Sequence, residues 1–303
     1  MNNLDIRDRK IIVAWSGKVG SAIIDNFSHD FKSILVWNRK WEFDWKIAYR
    51  IGSLDKVSHI PDDAIGIISC ISSGVDKALK EFSQRNLPTV LLSTWYHKDL
   101  LRKYTNIPIL KAPNVALPIV ELMNIFEEFE SFLGMDITID ESHQPGKVDP
   151  SGTARQIIDI INSKSGDFNY DKSDYKPDEG ISYLWDLTSY RWNASVDFWV
   201  SQEHVESWHA YHKYRVEGSI LGSDFRKFEE RIKNWEEKYQ DHNFTWLQVG
   251  LSKGVVRNAT QAIHFFHNVD GREIYADGLR EMLPWFLQQW TWIHEVTDYL
   301  KTT

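Results

Sequence analysis

Lys10-Ile11-Ile12-Val13-Ala14-Trp15-Ser16-Gly17-Lys18-Val19-Gly20 opens as a short apolar run and breaks into a turn with two glycines. A helical pattern follows over Ser21–Phe31. Strand, glycine turn and helix in that order start a βαβ unit, and glycines there let backbone N–H groups approach a pyrophosphate at a helix N-terminus. Gly17 and Gly20 supply the spacing, while Ala14 stands where the first glycine of a dinucleotide fingerprint would be. Alanine fits that position at negative φ, with a slightly wider turn. Such turns also occur without a nucleotide. The stretch therefore nominates Ala14, Gly17, Lys18, Val19 and Gly20 as cofactor contacts and leaves the plain structural turn open.

Working outward, a second short strand, Ser33–Trp37, ends at Asn38-Arg39-Lys40. An acidic residue at this point would accept hydrogen bonds from the adenine-ribose 2′-OH. Asn38 with two following cations suits a 2′-phosphate instead, which favours NADPH, with NADH the second choice. A solvated basic turn is the competing reading. Further strands are predicted at Ala64–Cys70, Thr89–Leu92 and Ile107–Leu110, with helical stretches such as Asp76–Gln84 between them. Strands alternating with helices of this length predict an α/β fold, a Rossmann-type doubly wound parallel sheet with right-handed connections.

After Asn114 the pattern changes. Val120–Phe132 reads as one amphipathic helix, Asp136–Glu141 as a strand, and Ser151–Ser163 as a helix capped by Ser151. Residues 164–224 read as irregular. Phe225, Phe228, Ile232, Trp235 and Tyr239 then share one face of a surface helix. A strand is expected at Gln261–His267, and Leu279–Tyr299 is expected to close the chain as a helix. At 303 residues the chain exceeds a usual single core. The expected division is a dinucleotide domain of 1–118 plus 268–303 and a second domain of 119–267, used for substrate binding and oligomerisation.

Composition narrows the partners. The net charge of −8 repels nucleic-acid phosphates and anionic lipid, and no basic patch offsets it, so neither partner is expected. A lone Cys70 cannot form an internal disulfide, which fits a reducing cytoplasm. The apolar run Ile11–Trp15 is too short for a secretory or membrane segment, so neither is expected. The 14 Trp, 12 Tyr and 15 Phe point to packing and oligomer contacts.

Glu141-Ser142-His143-Gln144-Pro145-Gly146-Lys147-Val148-Asp149-Pro150-Ser151-Gly152-Thr153-Ala154 carries the densest chemistry. His143 exchanges a proton near neutral pH. Lys147 is a mobile cation, and the N–H groups of Gly152 and Thr153 open a helix whose dipole attracts carboxylate. Proton donor and anion trap lie within 11 residues, although an ordinary loop and N-cap would use the same types. His209 and His212, spaced i and i+3, raise the question of a metal. No third ligand cluster accompanies them, and a structural or substrate-edge role is preferred.

This segment resembles the signature of the dihydrodipicolinate reductases, in which a His precedes a Lys by four residues and Asp and Ser-Gly-Thr-Ala follow. The run His267–Gly278 (H-N-V-D-G-R-E-I-Y-A-D-G) resembles the family's C-terminal return, and Ala112-Pro113-Asn114 its domain crossover. The resemblance implies NAD(P)H-dependent reduction of 4-hydroxy-tetrahydrodipicolinate to tetrahydrodipicolinate on the diaminopimelate route to lysine. It implies a Rossmann domain joined to a mixed α+β domain that builds a homotetramer. His143 and Lys147 would be the proton-transfer pair, with Gln144, Ser151, Gly152 and Thr153 on the substrate dicarboxylate. Ser72, Ser93, Thr94, Ala112, Pro113 and Asn114 would join the glycine turn and Asn38–Lys40 on the cofactor.

Four departures stand out. The family often has two adjacent histidines where this chain has His143-Gln144, and the span from Lys147 to Ser151 is one residue shorter than usual. The family's Gly-Thr-Thr-Gly is replaced within Leu91–Tyr96, and 164–260 is enlarged. These leave two other readings open: a paralogous imine reductase or amino-acid dehydrogenase, and a non-catalytic nucleotide-binding protein.

Overall fold

Strand β1, Lys10–Ala14, is buried along Ile11 to Ala14. Because strand side chains alternate, Ile11 and Val13 point to one face of the sheet and Ile12 and Ala14 to the other, so full burial of all four requires cover on both faces. The sequence signals this in advance, since such strands read as continuous apolar runs. A computed structural model describes residues 10–14, 18–27, 33–37, 48–51, 64–70, 72–93, 96, 98–129, 136–143, 152–165, 169–172, 181–188, 210–219, 223–239, 250–252, 260–269, 273–289 and 293–301. These fall into two units, 1–120 with 272–303, and 121–271.

The first unit is a seven-stranded sheet. Around β1 lie β2 (Ser33–Trp37), β3 (Ala48–Ile51), β4 (Ile65–Ile68), β5 (Thr89–Leu91), β6 (Ile109–Lys111) and β13 (Ile293–Glu295). Their order is β13-β6-β5-β4-β1-β2-β3, and every pairing is parallel. From β3 to β6 this is the doubly wound order expected from the alternating pattern. Helix α2, Ser72–Gln84, packs Val75, Ala78, Leu79 and Phe82 into one core with Ile12, Ala14 and Ile68. Helix α1 (Lys18–Phe27) packs with α6 (Glu273–Phe286), where Arg280 lies 5.5 Å from the Phe27 ring centroid and donates to the Asn26 carbonyl at 2.8 Å.

The chain's last element departs from expectation. Leu279–Tyr299 is not one helix: α6 ends at Phe286, β13 adds to the edge of β6, and Val296–Tyr299 forms a 3₁₀ turn. The β6 edge offers unpaired N–H and C=O groups that a strand can satisfy and a helix cannot. Lys111 of β6 and Glu295 of β13 pair side by side in adjoining strands.

The second unit is a six-stranded antiparallel sheet with helices. Its strands are β7 (Asp136–His143), β8 (Asn169–Lys172), β9 (Ile181–Thr188), β10 (Ala210–Ser219), β11 (Gly250–Ser252) and β12 (Thr260–Val269). Their order is β11-β12-β10-β7-β9-β8. Three of these strands fall inside 164–224, so the expectation of irregular chain there is wrong. Ile181-Ser182-Tyr183-Leu184-Trp185-Asp186-Leu187-Thr188 is rich in strand-forming residues with large apolar types at every second position, and pairing with β7 fixes it. Polar and aromatic composition had masked that period. Strands β3 and β11, both short, were also not anticipated.

Helix α3, Leu117–Glu128, runs from the first unit into the second. Helix α4 spans Gly152–Ser165, and α5 spans Ser223–Tyr239. The expected stripe of α5 is buried at Phe225, Phe228, Ile232, Trp235 and Tyr239. Each such side chain contributes about 1.5–3 kcal/mol of burial, so the stripe anchors the helix despite its charged outer face. Phe228 meets Phe126 of α3 edge-on at 5.3 Å. Tyr239 donates to Glu121 Oε2 at 2.6 Å, and burial together with that carboxylate raises the phenol pKa far above its ordinary value.

Two glycines mark close approaches in the first unit. A Cβ on Gly278 of α6 would lie 1.6 Å from the Val115 carbonyl oxygen, which is backbone and cannot rotate away. A Cβ on Gly66 of β4 would lie 2.5 Å from the Phe82 ring, which can shift at a cost. Gly278→Ala is therefore expected to destabilise by roughly 3 kcal/mol or more and Gly66→Ala by less, about 1–3 kcal/mol. Urea midpoints of the two variants check the order, and equal midpoints would contradict it.

Candidate functional site

In a parallel sheet all carboxyl ends reach one edge, and ligands of open α/β sheets bind there, where the strand order reverses. Here the reversal falls between β1 and β4, which pair on opposite sides of the sequence order. Ala14 ends β1, buried, and its carbonyl accepts the Ser69 N–H at 3.2 Å just past β4. Lys18, Val19 and Gly20 form the first turn of α1, Ser72 is the first residue of α2, Ser93 follows β5, and Ala112 follows β6. The sheet thus gathers these six expected cofactor positions and Ala14 toward one edge. Gly17, Asn38, Arg39, Lys40 and Thr94 lie outside the described residues.

Ser93 has a definite task at this edge. Its hydroxyl donates to the Cys70 carbonyl at 2.7 Å and accepts the Cys70 N–H at 3.1 Å. One small side chain therefore ties the end of β5 to the end of β4. Burial pushes the Cys70 thiol pKa up to about 11 and outweighs the Ser93 hydrogen bond, which acts in the opposite direction. Ala112 is buried, its N–H bonded to the Leu91 carbonyl at 2.9 Å. Asn114 is buried as well, and its Oδ1 accepts the Ala116 N–H at 2.9 Å, holding the backbone at the entrance to α3. Pro113 between them is half-buried.

The second set of expected residues lies in the other unit. His143 is the last residue of β7, opposite Ile181 of β9, two residues beyond the expected end of the strand. Gly152 and Thr153 open α4, and Thr153 is buried. Gln144, Lys147 and Ser151 lie outside the described residues, as does His209.

Register reveals something neither strand carries alone. Directly opposed residues of an antiparallel sheet share a face. Ile137 stands beside Leu187 and Val216, and Val216 beside Ile263. The next row on that face is Trp185, Ile139, Tyr214 and Phe265. Ile137, Ile139, Tyr214 and Val216 are fully buried, and Phe126 of α3 lies 6.1 Å from the Tyr214 ring. The row after that changes character: Tyr183, Glu141, His212 and His267. His143 follows on the same face, two residues along β7 from Glu141. In the sequence His212 and the His267 segment stand as separate features. Cross-strand register, set by tertiary pairing, is what joins them to Glu141.

No helix among the described residues is long and apolar enough to cross a membrane, and no group of three or more metal-ligating side chains is found among them.

A family model described as dihydrodipicolinate reductase, C-terminus, matches residues 119–300. Among curated proteins the chain is 36% identical over 104 residues to the 4-hydroxy-tetrahydrodipicolinate reductase of Buchnera aphidicola subsp. Cinara cedri, covering 32% of this chain and 38% of that one. It is 35% identical over 94 residues to the enzyme of the same name from Caldanaerobacter subterraneus subsp. tengcongensis, covering 29% and 38%. These matches span under two fifths of the relatives' length. The solved structure of a dipicolinate-bound dihydrodipicolinate reductase from Paenisporosarcina sp. TG-14 is similar in fold, with a TM-score of 0.55 over 95% of this chain and 98% of that one, at 14% identity.

Two measurements test the first-unit edge. Ser93→Ala removes both bridging hydrogen bonds and should cost about 1–2 kcal/mol in urea unfolding. With the pKa moved from 9.0 to about 11, the Cys70 thiolate fraction near pH 8 falls about 100-fold, and thiolate appears only as pH rises. A disulfide reagent should therefore label native Cys70 far more slowly than the urea-unfolded chain, and equal rates would contradict the buried placement.

Proposed function

Since the chain belongs to the dihydrodipicolinate reductase family, we propose that it is a nicotinamide-dependent reductase converting 4-hydroxy-tetrahydrodipicolinate to tetrahydrodipicolinate in diaminopimelate and lysine biosynthesis. The observation that carries this reading is the family match over 119–300, which contains His143, Lys147 and the Ser151-Gly152-Thr153 helix start in the family's order. The order of elements supports the cofactor: β1 ends at Ala14 and α1 begins at Lys18, so a helix N-terminus follows the first strand, as the pyrophosphate of a dinucleotide requires.

When bound, the reduced nicotinamide supplies a hydride to the conjugated C=N/C=C system of the substrate. The chain's residues do the rest. His143 and Lys147 handle the proton that accompanies hydride addition and loss of water. The N–H groups of Gly152 and Thr153, with Ser151 and Gln144, hold a substrate carboxylate at the start of α4, where the helix dipole favours negative charge. Arg39 and Lys40 grip the 2′-phosphate, which makes NADPH the preferred cofactor, and Ser93 ties the ends of β4 and β5 together. The working form is a cytoplasmic homo-oligomer built through residues 119–267, a tetramer by family resemblance, and light scattering that reports a monomer at micromolar concentration would refute that assembly.

Oxidation of NADPH with enzymatically generated 4-hydroxy-tetrahydrodipicolinate is the direct test. No turnover with NADPH or NADH would end the reading, and turnover only with an amino acid or another imine would transfer it to a paralogous activity. Lys147→Ala should lower kcat by about 10²–10⁴-fold with folding intact. Thr153→Ala should instead raise KM more than it lowers kcat. Arg39→Ala should narrow the NADPH-over-NADH preference by roughly 10-fold or more, as loss of a charge-assisted contact demands.

A further inference from the structure

Where β4 and β5 end, a side chain continues the ladder between them. The Leu92 N–H donates to the Ile68 carbonyl at 2.9 Å. Two residues beyond Ile68, one hydroxyl takes both backbone groups of Cys70: Ser93 Oγ donates to the carbonyl at 2.7 Å and accepts the N–H at 3.1 Å. A hydroxyl has one proton to give, and this one is committed. Ser93 is also only 8% exposed, so it has no donor and little surface to spare for a ligand. Three residues on, Tyr96 packs against the core that holds Ile12, Ala14 and Leu91. The segment Leu91–Tyr96 contains no glycine, and Thr94 and Trp95 are flanked by these two anchored residues.

We propose that Ser93 is a positioning residue for the nicotinamide half of the cofactor, acting through the Cys70 backbone and not by direct contact. This rests on the reductase reading only in its choice of a nicotinamide dinucleotide. Such a ligand straddles the crevice where the strand order reverses, here between β1 and β4, and its adenine ribose is read at the end of the second strand, here β2. The adenine half therefore belongs to the β1–β2 side. The nicotinamide half belongs to the β4–β5 side, where Ser93 lies. Tying those two strand ends before the cofactor arrives removes part of the ordering cost of binding. It does so for one half of the ligand only.

The test is calorimetric binding of NADPH and of its adenine half, 2′,5′-ADP, to the full-length protein, with NADH and ADP in their place if NADH binds more tightly. Ser93→Ala should weaken NADPH binding by roughly fivefold to thirtyfold, the cost of fixing one further residue's backbone on binding. It should change 2′,5′-ADP binding by less than about twofold, as a site without shared partners behaves. Ser93→Thr, which keeps the hydroxyl, should recover most of the lost NADPH affinity. Unchanged NADPH affinity in Ser93→Ala overturns the inference alone. So does equal weakening of both ligands, which marks a general structural role, and so does an equal loss in Ser93→Thr and Ser93→Ala. If the unmodified protein binds neither NADPH nor NADH, the cofactor reading falls and takes this inference with it. Should circular dichroism show Ser93→Ala unfolded, Ser93→Cys keeps the side chain's shape with a much weaker donor and acceptor. The same selective loss is expected there, and its absence overturns the inference.

Discussion

A strand that pairs in parallel with its neighbour cannot be reached by a tight turn. The chain must cross over the sheet each time, and every crossover starts from the same edge. The first unit depends on this constraint. It explains why β1 and β4 are buried on both faces and why the chemistry-bearing ends of β1, β4, β5 and β6 converge although they lie far apart in sequence. It also explains the role of Ser93. At an edge where strands end and loops begin, the ladder no longer fixes the backbone, and one hydroxyl bridging Cys70 continues it for one more step.

The second unit obeys a different rule. Its neighbouring strands are antiparallel and mostly far apart in the chain, with β7 beside β9 and β10 and β10 beside β12, so its information lies in register. Shifting β10 by one residue against β7 would remove Tyr214 and Val216 from the helix-covered face and His212 from the row of Glu141. The apolar rows hold the register, and the polar row inherits its alignment from them. Packing of Phe126 against Tyr214, backed by Phe228, therefore acts on the alignment at the sheet's end without touching it.

These two rules decide what a linear reading can recover. The parallel sheet was legible because double-sided burial writes long apolar runs such as Ile11-Ile12-Val13-Ala14, and α5 was legible because its stripe recurs at helical spacing. Ile181–Thr188 was not, since aromatic and polar residues blurred its period and its order comes from β7 and β8. The C-terminal strand was missed for a related reason: Ile293–Glu295 is a strand because β6 has a vacant side, a fact no local propensity records. In the candidate site, His143, Gly152 and Thr153 could be nominated from one contiguous motif. The neighbourhood of Glu141 and His212 could not, being a property of two strands roughly seventy residues apart.

The first unit is assembled from both ends of the chain. Val115 faces Gly278 at backbone distance, Asn26 receives Arg280, and β6 is closed by β13. On a ribosome moving at about 5–20 residues per second, the 151 residues of Glu121–Gly271 take roughly 8–30 s to emerge before those partners exist. Throughout that interval the first strands wait with an open β6 edge, and at its end the inserted unit holds all its own strands while the first still lacks α6 and β13. Vectorial synthesis thus makes the inserted unit the earlier one to finish. The β6 edge is then the surface that a nascent chain must keep from pairing with another chain.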